Sequence, residues 1–287
     1  MQIYSYAALS ELQKKLVIDF LRNYEMSCVQ LCSVVRKGEN GVFVCTKDHI
    51  LANSSQIFGV FQIRGHLLHC FPFSLDDSFF PAFREICKDK NIQCVNGEAS
   101  ASEKLIAFLE GEGKKCFHKN QYHLMTLRDS ASNNLVTAKE ILDSGAEFVS
   151  CSMNETDKEE LFPLQKNYLK EEVSPGHKTP SDMYVSATLS DILKNQKVFA
   201  IRMDDQLVAK ANTNAIGWNY IQLGGIYTHP LYRRNGYAQV LVSSLARRII
   251  SGGRTVSLFV NKKNPAAINL YSKLGFAKQG DYLIAYF

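Results

Sequence analysis

No run of apolar residues in this sequence approaches the length needed to cross a bilayer, so a transmembrane helix is excluded as a reading. The first fifteen residues, MQIYSYAALSELQKK, have no basic region followed by an apolar core. The expectation is therefore a chain without a secretory signal, working in the cytoplasm and not at a membrane. Eight cysteines are present, yet none forms a C-x-x-C pair, and most lie in apolar settings such as His69-Cys70-Phe71. Zinc needs clustered ligands at short spacing, so no metal is expected and the thiols read as buried and reduced. Acids are scarce at the C-terminal end: residues 232–287 carry nine Lys/Arg against one acid, Asp281. Residues 141–231 have the opposite balance, with twelve acids against eight Lys/Arg. A local positive surplus points to an anionic ligand. Nucleic acid is the competing reading, and no RNA-binding signature accompanies the charge, so it is not expected as a partner.

With 287 residues the chain can build one large domain or two of ordinary size, and a hydrophobic fraction of 46% with 21% charged residues is that of a globular protein. In the first half a helix is predicted over residues 8–23, with Leu9, Leu12, Leu16 and Phe20 on one side. A second helix is predicted over 25–36. Strands follow at 42–46, 56–63 and 67–73, then a helix at 79–87, a strand at 92–95, a helix at 101–109 and a strand at 121–127. The second half opens with a strand at 147–152 and a helix at 159–172, which Ser174-Pro175-Gly176 ends. A helix at 181–195 precedes two strands, 198–202 and 207–213, joined by a hairpin turn at Asp204-Asp205.

The segment from Ile221 to Leu241, IQLGGIYTHPLYRRNGYAQVL, is the most informative. It reads as a strand ended by His229-Pro230, a basic glycine loop, and a helix with Leu241, Leu245 and Ile249 at helical spacing. A glycine loop opening a helix presents backbone N–H groups and the positive dipole end to anions. Arg233 and Arg234 add two charges suited to phosphate oxygens. A strand at 255–261, a helix at 265–274 and a last strand at 283–287 complete the chain.

The loop Arg233-Arg234-Asn235-Gly236-Tyr237-Ala238 resembles the acyl-CoA motif of the GNAT superfamily of N-acyltransferases, whose pattern is Arg/Gln-x-x-Gly-x-Gly/Ala. A second segment, Asn264-Pro265-Ala266-Ala267-Ile268-Asn269-Leu270-Tyr271-Ser272-Lys273-Leu274-Gly275-Phe276, is similar to the family's Asn, Ala, Tyr, Gly-Phe pattern. The resemblance covers residues 145–287 and implies an α/β fold with a mixed sheet, GNAT-type at 141–287. An α/β domain at 1–140 then reads either as a worn copy of the same fold or as an unrelated α+β domain. The comparable loop of that domain, Ser74-Leu75-Asp76-Asp77-Ser78, has no arginine or glycine, and its acids oppose phosphate.

The resemblance further implies acetyl-CoA as cosubstrate and an amine acceptor, with direct attack and no covalent enzyme intermediate. Either arginine fits the role of the motif's first residue. Residues 233–238 would hold the pyrophosphate, and the strand end Ile226-Tyr227-Thr228 would take the pantetheine and offer an N–H to the thioester oxygen. Asn264 would lie near the cofactor while capping a helix, and Tyr271 would be the general acid. Glu171 and Glu172 are the candidates for the base, with His229 read as a turn residue. Trp218 and Tyr220 read equally as acceptor wall or as core. A homodimer is compatible with all of this. Two other readings stay open: a transferase of the tandem GNAT type using aminoacyl-tRNA or peptide, and a non-catalytic CoA-binding sensor or interaction module.

Overall fold

A computed structural model of the chain describes residues 1–47, 52–141, 145–174, 176 and 178–287. The elements run β1 Gln2–Ser5, α1 Glu11–Tyr24, α2 Val29–Arg36, β2 Val42–Thr46, β3 Ile57–Cys70, α3 Phe80–Cys87, β4 Ile92–Glu98, α4 Ala99–Gly111 and β5 His118–Leu127. They continue with α5 Ala138–Ile141, β6 Ala146–Cys151, α6 Glu155–Tyr168, α7 Asp182–Asn195, β7 Val198–Met203, β8 Gln206–Ile216 and β9 Tyr220–Thr228. The last four are α8 Tyr237–Ser251, β10 Thr255–Asn261, α9 Pro265–Lys273 and β11 Ala277–Tyr286. The fold is mixed α/β, as the sequence implied.

The chain forms two compact units, each drawing on segments from both sides of residue 140: one comprises Met1–Leu124, Ile216–Tyr220 and Gln279–Phe287, the other Met125–Ala215 and Ile221–Lys278. In the first unit the strands follow the order β1-β2-β3-β4-β11-β5. The chain's last strand pairs antiparallel with β4, Ile284 opposite Asn96, which places Leu283 and Ala285 in a core with Val95, Phe61, Phe79 and Leu105. In the second unit the order is β5-β10-β9-β8-β7-β6. One face of that sheet packs Leu223, Val256 and Leu258 against Val240, Leu241 and Leu245 of α8. The other packs Val198, Ala200 and Tyr227 against Leu161 and Leu164 of α6 and Leu189 of α7.

Several expected elements are displaced for local reasons. The first helix begins at Glu11, not residue 8, because Ser10 and Gln13 form a reciprocal capping box. Its buried face is Val17, Phe20 and Leu21, and Leu12, expected inside, is 70% exposed. The first element is not the helix expected at 8–23 but the strand β1, too short at four residues to show a period-two pattern. The strands expected at 56–63 and 67–73 are one strand, β3. Gly65 bends it at φ +72°, where its pairing shifts from antiparallel with β2 to parallel with β4. The hairpin at Asp204-Asp205 forms as read, with φ values of +48° and +63° that match a primed turn. The helix expected at 159–172 starts earlier, at Glu155, where the Asn154 side chain accepts from Asp157 N at 2.8 Å. It also ends earlier: Leu169–Val173 form a π-helical turn, closed by Ser174 N donating to Leu169 O at 2.7 Å. Glu171 and Glu172 therefore sit on a widened turn, not on the α-helix. Of the break assigned to Ser174-Pro175-Gly176, Pro175 lies outside the described residues.

Candidate functional site

The site residues of the second unit gather where β9 ends and α8 begins. Gly225, inside β9, stands at φ +59°, and no larger residue fits there, since an added Cβ would stand 1.9 Å from Asn212 Oδ1. Ile226 then points to the α8 side and Tyr227 to the α6 side. After Thr228 the chain turns through His229, whose N–H donates to Val208 O at 2.8 Å and whose ring lies against Tyr232. His229 is thus a turn residue, with its Nδ1 buried and unbonded among the described residues.

Gly236, at φ +76°, is the N-cap of α8 and supplies no side chain to cap it. Tyr237 anchors the helix start in the core at 2% exposure, while Arg233, Arg234 and Asn235 are exposed and Ala238 half-buried. The two arginines differ. Arg233 is turned inward: Nε donates to Thr228 O at 3.0 Å, Nη2 pairs with Glu171 Oε2 at 2.7 Å, and the guanidinium lies over the Tyr227 ring. Tyr227 donates its hydroxyl to the other oxygen of Glu171 at 2.6 Å. Burial, then the bond and charge of Glu171, hold the Tyr227 phenol above its ordinary pKa. Arg234 stands at φ +72° and makes no ion pair among the described residues. An uncapped, glycine-led helix start beside an unpaired arginine suits a polyphosphate.

The second motif lands beside the first. Asn264 Oδ1 accepts from Ala267 N at 3.0 Å, capping α9 as expected, and its Nδ2 donates to Glu172 Oε1 at 3.3 Å. Tyr271 is 6% exposed, and burial, then the charges of Glu172 and Tyr168, raise its pKa. The phenol stays protonated through neutral pH. Among the described residues no group of His, Cys, Asp and Glu is arranged to hold a metal ion. All eight cysteines are free, and burial pushes the thiols of Cys45, Cys87, Cys94 and Cys151 up to about 12.

A polar layer on the α6 face of the second unit was missed from sequence. Lys210, between Ala209 and Ala211 of β8, is 1% exposed. Its Nζ donates to Gly225 O at 2.9 Å and lies 4.9 Å from the Tyr168 ring centroid. Burial lowers its pKa to about 7. Gln165 of α6, Gln222 of β9 and Ser257 of β10 are also buried, each with a side-chain oxygen unbonded among the described residues. The available signal was the run Val208-Ala209-Lys210-Ala211-Asn212, a cation between alanines in a strand with no acid in the run.

The first unit is built differently at the comparable place. Asp76 Oδ1 accepts from Ser78 N at 3.0 Å and from Ser78 Oγ at 2.5 Å, so a carboxylate already fills the loop before α3. A cavity of about 490 Å³ lies there, lined by Leu75, Asp77, Phe80, Arg84, Lys104 and Phe108. Trp218, partly buried, packs against this unit's core under Arg22, and Glu25 binds the backbone N–H groups of Asn219 and Tyr220.

The FR47-like protein family model matches residues 204–284. No curated protein matches the chain. Among solved structures, a Drosophila protein from structural genomics is 13% identical with a TM-score of 0.69, covering 99% of this chain and 98% of its own. A tandem GNAT protein from the clavulanic acid biosynthesis pathway is 10% identical at TM-score 0.62, covering 99% and 97%. A GCN5-related N-acetyltransferase-like protein from Streptococcus suis is 18% identical at TM-score 0.52, covering 96% and 98%. These likenesses span both halves, so the chain has the fold of the tandem GNAT proteins, with an FR47-like segment in its C-terminal half.

Proposed function

We propose that the chain is an N-acyltransferase that moves an acetyl group from acetyl-CoA to the primary amine of an acceptor. The observation that carries this reading is the path from Gly225 of β9, at φ +59°, to the glycine cap of α8, with Tyr271 and Glu172 next to it. Gly236, Tyr237 and Ala238 would meet the pyrophosphate with backbone N–H groups, and Arg234 and Asn235 would close over it. Ile226, Tyr227 and Thr228 would line the pantetheine. Arg233 would act from behind, since Glu171, Thr228 and Tyr227 already hold it.

Bound acetyl-CoA supplies an activated carbonyl and a sulfur leaving group. The amine nitrogen bonds the carbonyl carbon, the carbon–sulfur bond breaks, and the amine gives up one proton. Glu172 takes that proton, directly or through water, and Tyr271 gives one to the departing sulfur. The closeness of the two groups lets the Glu172 proton restore the phenol, so the cycle closes. Glu171, bonded by both Tyr227 and Arg233, is the weaker candidate for the base. Its role is to hold the loop arginine against the strand end. Asn264 orients Glu172 and starts α9. The linear division, with 141–287 as the acyltransferase domain and 1–140 as support, belongs to this reading.

The experiment is acetyl-CoA turnover, read as free thiol, against a panel of amines, amino acids, aminoglycosides and peptides. Release above the hydrolysis background with one acceptor class supports the enzyme. Tight CoA binding with no turnover on any acceptor supports the sensor reading, which the depth of Tyr271 and the occupied oxygens of Glu171 favour.

A further inference from the structure

Lys210 is buried, and among the described residues no other lysine or arginine is. Taking an ammonium out of water is costly unless its protons are used. Here two acceptors take them, one on β9 and one on β8. Nζ donates to the carbonyl of Gly225 at 2.9 Å and to Asn212 Oδ1 at 3.4 Å, beneath the ring of Tyr168. The Tyr168 hydroxyl meets the Gly225 backbone as well. Gly225 is fitted to these partners: at φ +59°, an added Cβ would stand 2.9 Å from Lys210 Nζ and closer still to Asn212.

The carbonyl of Gly225 and the N–H of Ile226 belong to one planar peptide unit and point in opposite directions. A side chain that fixes the carbonyl also fixes the direction of that N–H. Without the clamp, a peptide led by a glycine at positive φ has the widest freedom to rotate. A donor for a developing oxyanion is worth most when its direction is set before the reaction.

We propose that Lys210 is a positioning residue for acyl transfer: by holding the Gly225 carbonyl it aims the Ile226 N–H at the thioester oxygen. The proposal rests on the acyltransferase reading above. It extends that reading from the strand end to a side chain on the neighbouring strand, one that touches neither donor nor acceptor. It also accounts for a lysine kept where a methionine would fill the same space at no electrostatic cost.

The test is Lys210→Met, which keeps length and bulk and removes the donor. The Ile226 amide resonance is followed in 15N-labelled protein as CoA and then acetyl-CoA are added, alongside calorimetry, thermal melting and thiol release. In the wild type the resonance is expected to respond to the acetyl group beyond its response to CoA. In the variant that extra response is lost and kcat falls by roughly 10²–10³. CoA affinity stays within about twofold, and the melting temperature does not fall, because a methionine replaces a buried charge. A role confined to holding the fold would leave kcat in the folded fraction unchanged, whatever the melting temperature does, and that overturns the proposal. So does an Ile226 resonance that ignores the acetyl group while CoA still binds. Wild-type protein that binds no CoA overturns the reading of the whole site, and this proposal with it.

Discussion

Tyr271 and Lys210 make opposite use of burial. For the phenol, burial and the neighbouring Glu172 charge stabilise the protonated form. If that proton is the one given to sulfur, Tyr271→Phe lowers turnover by roughly 10²–10⁴ while the CoA dissociation constant barely moves. Steady-state kinetics with calorimetry checks both, and a drop under about threefold returns Tyr271 to packing. For the lysine, burial opposes the protonated form and takes the pKa from 10.5 to about 7. The unfolded chain then binds more protons than the folded one between those values, so stability rises with pH across that window. Cys151 pulls weakly the other way. Lys210→Met removes the penalty, so its gain in melting temperature over wild type is largest below pH 7 and shrinks toward pH 10. Each kcal/mol recovered is worth about 2–4 °C. Melts from pH 6 to pH 9.5 show the trend, and a pH-independent difference contradicts it.

At the level of elements, the start of α8 is where the fold and the proposed chemistry meet. Gly236→Asp places a β-carbon at φ +76° and a negative charge at the helix N-terminus where phosphate would sit. CoA affinity should fall at least 100-fold in calorimetry on folded variant; unchanged affinity removes the loop from the site. A second element-level prediction concerns the segment before β9. Glu25 is fully buried, and its carboxylate accepts from Asn219 N at 2.9 Å and from Tyr220 N at 3.0 Å. Gly217 leaves room for it, since a Cβ there would stand 2.0 Å from Glu25 Oε1. Glu25→Ala orphans those N–H groups at about 1–3 kcal/mol each. Chemical denaturation should show a loss of about 2–6 kcal/mol for the two groups together; a variant as stable as wild type would mean water replaces the carboxylate.

For the whole molecule the question is how many donor sites one chain holds. The second unit has Arg234, the Gly236 cap and Tyr271. The first has Asp76 bonded to Ser78 N, a carboxylate where phosphate would need to be. One CoA per chain is expected in a calorimetric titration, and none after Arg233 and Gly236 are both replaced. A stoichiometry of two would show the first half to be a working site.

The C-terminal elements were legible because each carries a local signal. Asp204-Asp205 tolerates left-handed backbone and turns the hairpin, Asn264-Pro265 starts a helix, and Gly236 opens another. The first half was less legible. The strand β1 is too short to show a period, and Gly65 bends a single strand where two were read. Of the site, the sequence by itself determined the glycine loop, the strand before it and the helix that carries Tyr271, because those depend on backbone conformations that particular residues favour. Only the tertiary structure decided which loop arginine is bound to Glu171, that Glu171 and Glu172 ride a π-turn, and that Lys210 meets Gly225 fifteen residues away. It also decided that β11 pairs with β4. Apart from the π-turn, those are contacts between side chains and strands distant along the chain, and no local propensity encodes them.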